Sequence, residues 1–296
     1  MDKLNTAVFL MVVETGSFSK AAERLGYTQA GVSYIVSTME EELGIKLFVR
    51  DYSGIRLTAE GREILPYIKQ VDISSKRLRQ KIDDMSNLEV GSIKVQIFDS
   101  ISIHWIPGII KKYKADYPGI EIELITEENS KRAEEMVVSQ EVDCGFFLTE
   151  PKCKVDSFPL LKEAIKVVVS PDDPIAKMDV FPIEKLGDYP FISMAFDTTT
   201  GIRDLFVKNG QMPRTAFVMD NDYAAMAMAS AGLGFCIFPE LLLRDAPYEI
   251  KTLDFAPPQS RQISIATKDI NNCSNAAKKF IEYTISWVKE QYREQF

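Results

Sequence analysis

An α/β domain of two subdomains, preceded by a mainly α N-terminal segment and one long helix, is the architecture this 296-residue chain predicts. Three observations carry it. Up to Gly44, apolar residues recur at helical spacing and glycines punctuate them. Between Ile64 and Met85 they recur at alternating steps of four and three. From Gly91 onward, short apolar or alternating runs interleave with helical stretches. Such alternation builds an α/β fold with mainly parallel sheets.

The first helix presents Val8, Phe9, Val12 and Val13 on one stripe and ends at Gly16. Ser17 or Ser19 can cap the next helix, which turns Ala21, Ala22 and Leu25 inward and stops at Gly26. Thr28 is placed to cap a third, with Val32, Ile35 and Met39 inward, running to Leu43 and stopping at Gly44. Two short helices about a tight glycine-containing turn make a helix-turn-helix. The face opposite the third helix's apolar side carries Gln29, Ser33, Tyr34 and Ser37 in place of the usual Lys and Glu. Short neutral hydrogen-bonding groups suit base edges: Gln matches adenine N6/N7 and Ser addresses several bases. Tyr34 can reach a phosphate or a thymine methyl.

In LFVRDYSGIRLT, residues 47–58, two short strands about Ser53-Gly54 form a hairpin with Arg50 and Arg56 on its arms. A hairpin beside a helix-turn-helix is a wing, and its arginines can hold phosphates or probe the minor groove. Thr58 then caps a long helix from Ala59. Ile64, Ile68, Val71, Ser75, Leu78, Ile82 and Met85 make a heptad seam with one polar interruption, the pattern of helices that pair between chains. The seam predicts a dimer; Pro66 falls near its start.

Net charge is −8, which at first argues against a nucleic-acid partner. Residues 1–58 hold six bases and seven acids, and the acids cluster at helix ends, notably Glu40 to Glu42, leaving Arg50 and Arg56 apart. Arrangement, not the total, decides the partner.

The segment FLMVVETGSFSKAAERLGYTQAGVSYIVSTMEEELGIKLFVRDYSGIRLTAEG resembles the winged helix-turn-helix of LysR-type transcriptional regulators. Gly-Ser-Phe-Ser with Ala-Ala, Thr-Gln with a Ser four residues on, an acid-rich Leu-Gly, Leu-Phe-x-Arg and Leu-Thr-x-x-Gly stand in the family's order and spacing. The resemblance implies base reading by Gln29, Ser33 and Tyr34, and phosphate contacts from Thr28, Arg50 and Arg56, with Gly31 and Ser37 on the same DNA-facing surface. It further implies double-stranded DNA, a small-molecule effector and RNA polymerase as partners, and a homodimer or homotetramer. Two departures stand out. Ala30-Gly31 replaces Pro-Ala, and Tyr34 replaces a basic or amide residue. Gly31 costs about 1 kcal/mol of helix stability relative to Ala, and lets a backbone come closer.

In the remaining chain, IKVQIF, IEIELIT, VDCGFFL, IKVVVS, PFISM, FVMD and GFCIFP read as strands, with a further strand at 262–267 and a last helix at about 273–292. GSIKV, YPGIEIEL, VDCGFFL and AMAMASAGLGFCIFP are similar to the LysR family's effector domain, which is like type 2 periplasmic solute-binding proteins. The expected division is 1–58 for the winged helix-turn-helix, 59–90 for the linker helix and 91–296 for the effector domain. Subdomain I would cover about 91–162 and 266–296, and subdomain II about 163–265.

Ligands in such folds sit at strand C-terminal ends beside helix N-termini. The loops concerned are Asp99-Ser100-Ile101-Ser102, Thr149-Glu150, the stretch Phe196-Asp197-Thr198-Thr199-Thr200-Gly201, and Asp220-Asn221. Effector contacts are therefore expected from Ser100, Ile101, Ser102, Thr149, Phe196, Thr198, Thr199, Thr200 and Asp220. Asp99 and Asp197 disfavour a polyanion and hint at a ligand with an amine or hydroxyls. Arg203, one turn into a helix, could clamp a carboxylate. His104-Trp105 reads as the early part of a helix.

Other classes find little support. There is no G-x-S-x-G, P-loop or G-x-G-x-x-G, and one histidine in the chain argues against a zinc site. No catalytic residue, metal or cofactor is expected. Four cysteines without a C-x-x-C pair fit a reducing compartment, and Cys144 and Cys236 within apolar strands read as buried thiols. No apolar run reaches the roughly 20 residues of a membrane helix. MDKLNTAVFLMVVETG reads as a helix rather than a secretory leader, so a cytoplasmic location and no membrane partner are expected. The alternative is a solute-binding or interaction module that does not read DNA, and salt-sensitive DNA binding separates the two.

Overall fold

The computed structural model describes residues 5–51, 54–84, 91–195 and 202–292. The chain divides between Ile82 and Asp83 into two compact units.

In the first unit, α1 (Thr6–Thr15) begins at Asn5, whose side chain accepts the Val8 N–H, and ends where Gly16 turns left-handed at φ 61°. Of the two serines offered by the sequence, Ser17 caps α2 (Phe18–Leu25). The next helix, α3 (Gln29–Leu43), starts at Thr28. Its buried side is Val32, Val36 and Met39, while Ile35, expected inward, is only partly buried. The wing follows as β1 (Phe48–Asp51) and β2 (Gly54–Leu57), antiparallel, with Val49 opposite Arg56 and Arg50 opposite Ile55.

The long helix α4 (Ala59–Asp84) continues through Pro66. Thr58 anchors its start: its Oγ1 accepts the Gly61 N–H at 2.8 Å and donates to the Lys46 carbonyl at 2.6 Å. Gly61 is required here, because a Cβ would collide with the Leu47 carbonyl oxygen. Ile68 is buried with Phe9, Met39 and Leu47, and Ile64 packs against them. The first two seam positions are thus committed to this unit's own core. Farther along, Val71 and Leu78 are 42% and 64% exposed, the spare apolar surface that a partner helix could cover. Nothing is described of the Ile82 side chain, and Met85 lies outside the described residues.

In the second unit, β3 (Gly91–Ile97) leads into α5 (Asp99–His104) and α6 (Ile106–Asp116), then β4 (Ile120–Thr126), α7 (Ser130–Ser139) and β5 (Cys144–Phe147). Strand β3 pairs in parallel with β4 and β5. Next come β6 (Asp156–Val169), β7 (Val180–Pro182), β8 (Pro190–Met194), α8 (Ile202–Lys208), β9 (Arg214–Met219), α9 (Asp222–Ser230), β10 (Cys236–Pro239) and α10 (Glu240–Leu243). The chain closes with β11 (Lys251–Thr267) and α11 (Asn275–Gln291).

The expectation of mainly parallel sheets is corrected. The large sheet is mixed, in the order β10-β6-β11-β5-β3-β4, because β6 and β11 are long strands paired antiparallel along both lobes. Their length was hidden by polar and proline interruptions. Pro257 and Pro258 have no N–H, and the β11–β6 ladder skips from Asp254 to Gln259. Strand β7 pairs in parallel with residues 254–256 there.

Each lobe has its own core. One gathers Ile93, Val95, Trp105, Tyr113, Phe146 and Phe280. The other is built from Phe181, Phe191, Phe206, Phe235 and Phe255, with Met226 and Phe238 in an adjoining cluster. Cys144 and Cys236 are buried thiols, one in each lobe. Trp105 is not early in a helix as expected. It sits between α5 and α6, fully buried, with its indole N–H donating to the Tyr292 hydroxyl at 2.9 Å.

Candidate functional site

Two sites emerge, one in each unit. In the first, Thr28 is extended (φ −85°, ψ 152°) and its Oγ1 accepts the Gly31 N–H at 3.0 Å. A Cβ on Gly31 would stand 3.2 Å from that oxygen, so the glycine leaves room for the cap. Beyond the cap, Gln29, Ser33 and Ser37 follow at steps of four, placing them on one face. Gln29 and Ser37 are exposed, Ser33 partly so, and the Tyr34 ring is 74% exposed, large for an aromatic. Arg56 is exposed on β2. Arg50 lies in β1, and its side chain is not among those described.

Glu40 belongs to the acids that cluster at helix ends. It is nevertheless 8% exposed, and its Oε1 accepts the N–H groups of Leu47 at 2.8 Å and Phe48 at 3.2 Å. Its other oxygen pairs with Lys46. Burial pushes this carboxyl up, but the Lys46 ammonium and the two N–H donors outweigh that and hold it below the ordinary range. Glu40 therefore fastens the start of the wing to the end of α3. Ile55 N–H donating to the Gly16 carbonyl at 3.1 Å fastens the other strand to the α1–α2 turn.

The second site is a cavity between the two lobes, of about 60 Å³. Phe98, Ser100, Glu128 and Leu148 line it from one lobe, and Met194, Ile202, Asp222, Ile237 and Phe238 from the other. Ile165 and Arg261, on the long strands, and Pro239 and Leu242 also line it. Ser100 was expected here and is found here, 5% exposed, its Oγ 3.4 Å from Arg261 Nη2. The stretch Asp99–Ser102 is not a loop but opens α5. Its helical turn carries Ile101 into the lobe core, fully buried, and Ser102 Oγ donates to the Asp99 carbonyl at 2.8 Å. Thr149 is partly buried after β5, and Asp220 is exposed ahead of α9; neither lines this cavity. Phe196, Thr198, Thr199 and Thr200 lie outside the described residues.

Besides Asp222, three charged groups of the cavity region were not anticipated. Glu128 follows β4, and its Oε1 accepts the Asp99 N–H at 2.8 Å. Burial raises its carboxyl to about 7, with Asp99 and Asp222 adding to the rise, against the Asp99 N–H and Arg261. Arg261 Nε donates to Glu163 Oε1 at 2.6 Å, and the other oxygen of Glu163 accepts the Leu241 N–H at 2.9 Å. Glu163 and Arg261 are 3% and 10% exposed. Acids in ordinary-looking strand and loop sequence give no periodic signal; only the convergence of lobes reveals them.

A winged helix-turn-helix in one unit and a two-lobed α/β domain with a cavity between its lobes in the other define a regulator that couples a DNA-binding module to a small-molecule-binding one. Residues 5–62 match the family described as bacterial regulatory helix-turn-helix protein, lysR family, and residues 86–289 match the LysR substrate binding domain. The chain belongs to the LysR family of transcriptional regulators. It is 30% identical over 278 residues to the Bacillus subtilis (strain 168) protein called uncharacterized HTH-type transcriptional regulator YvbU, covering 93% of this chain and 94% of that one. In fold it is similar to full-length CbnR complexed with its target DNA, with TM-score 0.71 at 19% identity over 96% of this chain and 99% of that one. It is also similar to the effector binding domain of QuiR in complex with shikimate, with TM-score 0.60 at 22% identity over 69% of this chain and 99% of that one.

Proposed function

We propose that this regulator reads a dyad-symmetric operator through α3 and alters transcription when a small molecule occupies the cleft between its lobes. The observation that carries the first half is the exposed neutral face of α3 behind the Thr28 cap, with the wing tied to the same helix by Glu40. Gln29, Ser33 and Tyr34 address bases, Gly31 and Ser37 lie along the same approach, and Thr28, Arg50 and Arg56 hold phosphates. The DNA complex of the similarly folded CbnR supports this reading. The effector half rests on the walled cavity and on the fold shared with the shikimate-bound domain.

Subunits pair through the seam of α4, where Val71 and Leu78 are exposed and Ile82 and Met85 continue the heptad. The assembly is a homodimer or a homotetramer acting with RNA polymerase in the cytoplasm, and it catalyses no reaction. A ligand that binds one arrangement of the paired subunits better than another shifts the spacing of their recognition helices.

Footprinting of the full-length protein on its own upstream intergenic DNA, across a salt series, tests this. A protected site with dyad symmetry is expected, weakening as salt rises. Gln29→Ala should cost about 1–3 kcal/mol at its base step. Uniform weak binding with no protected site would sink the DNA-reading half.

A further inference from the structure

Asp72 stands where α4 passes from one task to another, and among the described residues it is the one buried acid of that helix. Before it, Ile64 and Ile68 pack into the core of their own unit. After it, Leu78 faces outward with the spare apolar surface of the seam. Successive side chains on a helix point about 100° apart. Asp72 therefore turns toward α1 while its neighbour Val71 stays exposed.

Thr6, the first residue of α1, donates its hydroxyl to Asp72 Oδ1 at 2.9 Å, and Lys76 Nζ stands 2.7 Å from Oδ2. Both ends of the hydrogen bond are buried, Thr6 at 9% and Asp72 at 7% exposure. A buried carboxylate is tolerated only while its oxygens have partners. Apolar contacts such as those of Ile68 hold α4 against the unit but let it slide, whereas a hydrogen bond is directional and fixes both rotation and register. From Asp72 to the end of α4 the helix runs about 18 Å, so a tilt of about 10° at Asp72 moves that end by about 3 Å. One base-pair step along a DNA strand is about the same length, 3.4 Å.

We propose that Asp72 is a positioning residue for operator reading: its bond to Thr6 sets the angle at which paired α4 helices carry their recognition helices, and with it the half-site spacing that the pair accepts. The inference rests on reading α3 as the DNA-contacting helix and the α4 seam as the pairing surface. Asp72 acts through α4 and not on the DNA, because its carboxylate is buried against α1. Each base pair inserted between two half-sites turns one of them by about 35° and moves it by about 3.4 Å. A joint held by the Thr6–Asp72 bond rejects that displacement, and a loosened joint follows it.

The test titrates the full-length protein against three duplexes: the upstream site found by footprinting, the same site with one base pair inserted at its dyad, and a duplex holding one half-site. The parent protein should prefer the natural site to the inserted one by about tenfold or more. Asp72→Ala and Thr6→Val should each cut that preference to about twofold, while half-site affinity stays within about twofold of the parent because α3 is untouched. Thr6→Ser keeps the hydroxyl and should keep the parental preference. Should Asp72→Ala fail to fold, Thr6→Val carries the comparison, since it leaves Asp72 paired with Lys76. A merely structural contact would weaken binding to all three duplexes alike; an unchanged preference in Thr6→Val therefore overturns the proposal. A parent protein indifferent to the insertion overturns it as well. The two failures stay apart: a parental footprint with unchanged preferences removes only the role of Asp72, whereas a missing footprint removes the regulator reading and this inference with it.

Discussion

Glu40 in the DNA-binding unit and Glu128 in the effector unit are glutamates drawn into the protein, and their surroundings answer the charge in opposite ways. Glu40 has two backbone N–H donors and a lysine. Glu128 has one N–H donor, with Asp99 and Asp222 beside it. A buried carboxylate whose oxygens are fully answered is a fastening, and its removal is felt in stability. One that is left short of positive charge beside a cavity holds a proton near neutrality, and groups perturbed in this way mark binding sites. The difference separates scaffold from site more sharply than burial does.

The largest effect should come from the pair that walls the cavity. Glu163→Ala strands the Arg261 guanidinium, 10% exposed, and frees the Leu241 N–H. Breaking a buried pair from one side costs about 3–5 kcal/mol. By contrast, neutralising Glu282, whose pair with Lys279 is solvent-exposed, should cost roughly 0–1 kcal/mol. Urea unfolding monitored in the effector unit compares them. Equal effects would mean that Arg261 is hydrated in the folded protein and that its charge is not spent on Glu163.

Glu40→Ala leaves the buried Leu47 N–H without its acceptor, a loss of about 1–3 kcal/mol confined to the DNA-binding unit. The pH dependences of the two glutamates then run in opposite directions. Glu40 has a folded pKa below its ordinary value, so its contribution is present above about 4.5 and is lost as pH falls through the folded pKa. Glu128 has a folded pKa of about 7, raised above the unfolded one, so the folded state loses stability as pH rises from about 4.5 through 7. Glu128→Gln should therefore match the parent protein at pH 4.5 and exceed it at pH 8, by on the order of 3 kcal/mol. Thermal unfolding of both variants at the two pH values checks the signs. A Glu128→Gln protein no more stable at pH 8 than its parent would remove the unanswered charge on which the contrast depends.

How much could be read in advance also differs between the units. The winged helix-turn-helix is local: caps at Ser17 and Thr28, stops at Gly16, Gly26 and Gly44, and the Thr58 anchor all fall within a few residues of what they terminate or start. Even there, Glu40 was missed, because its partners come from a turn that only the fold brings back. In the effector unit the strands of the first lobe were legible, but β6 and β11 were seen only at one end each, since prolines and charged residues break their alternation. The cavity was harder still. Ser100 was found by its place after β3, whereas Glu128, Asp222 and Arg261 come from segments 94 and 39 residues apart in sequence and share no motif. Ile101, one position from Ser100, turns into the lobe core for a simple reason. An unrecognised helical turn sends successive side chains about 100° apart.

The smallest effect sharpens the reading of α3 itself. Gly31 lets a backbone come closer, yet its nearest constraint is the Thr28 cap. Gly31→Ala gains up to about 1 kcal/mol of helix propensity. Its Cβ must also sit 3.2 Å from Thr28 Oγ1, closer than a relaxed contact, so the cap shifts by a few tenths of an ångström and returns part of that gain. The net change in stability should stay within about 1 kcal/mol of zero. The two roles separate in DNA binding. If the glycine only accommodates the cap, Gly31→Ala keeps operator affinity within about twofold, a difference below 0.5 kcal/mol. If it lets the DNA backbone come close, the variant folds as well as its parent and loses tenfold or more in footprint titrations, and Gly31 joins Gln29 and Ser33 as part of the reading surface.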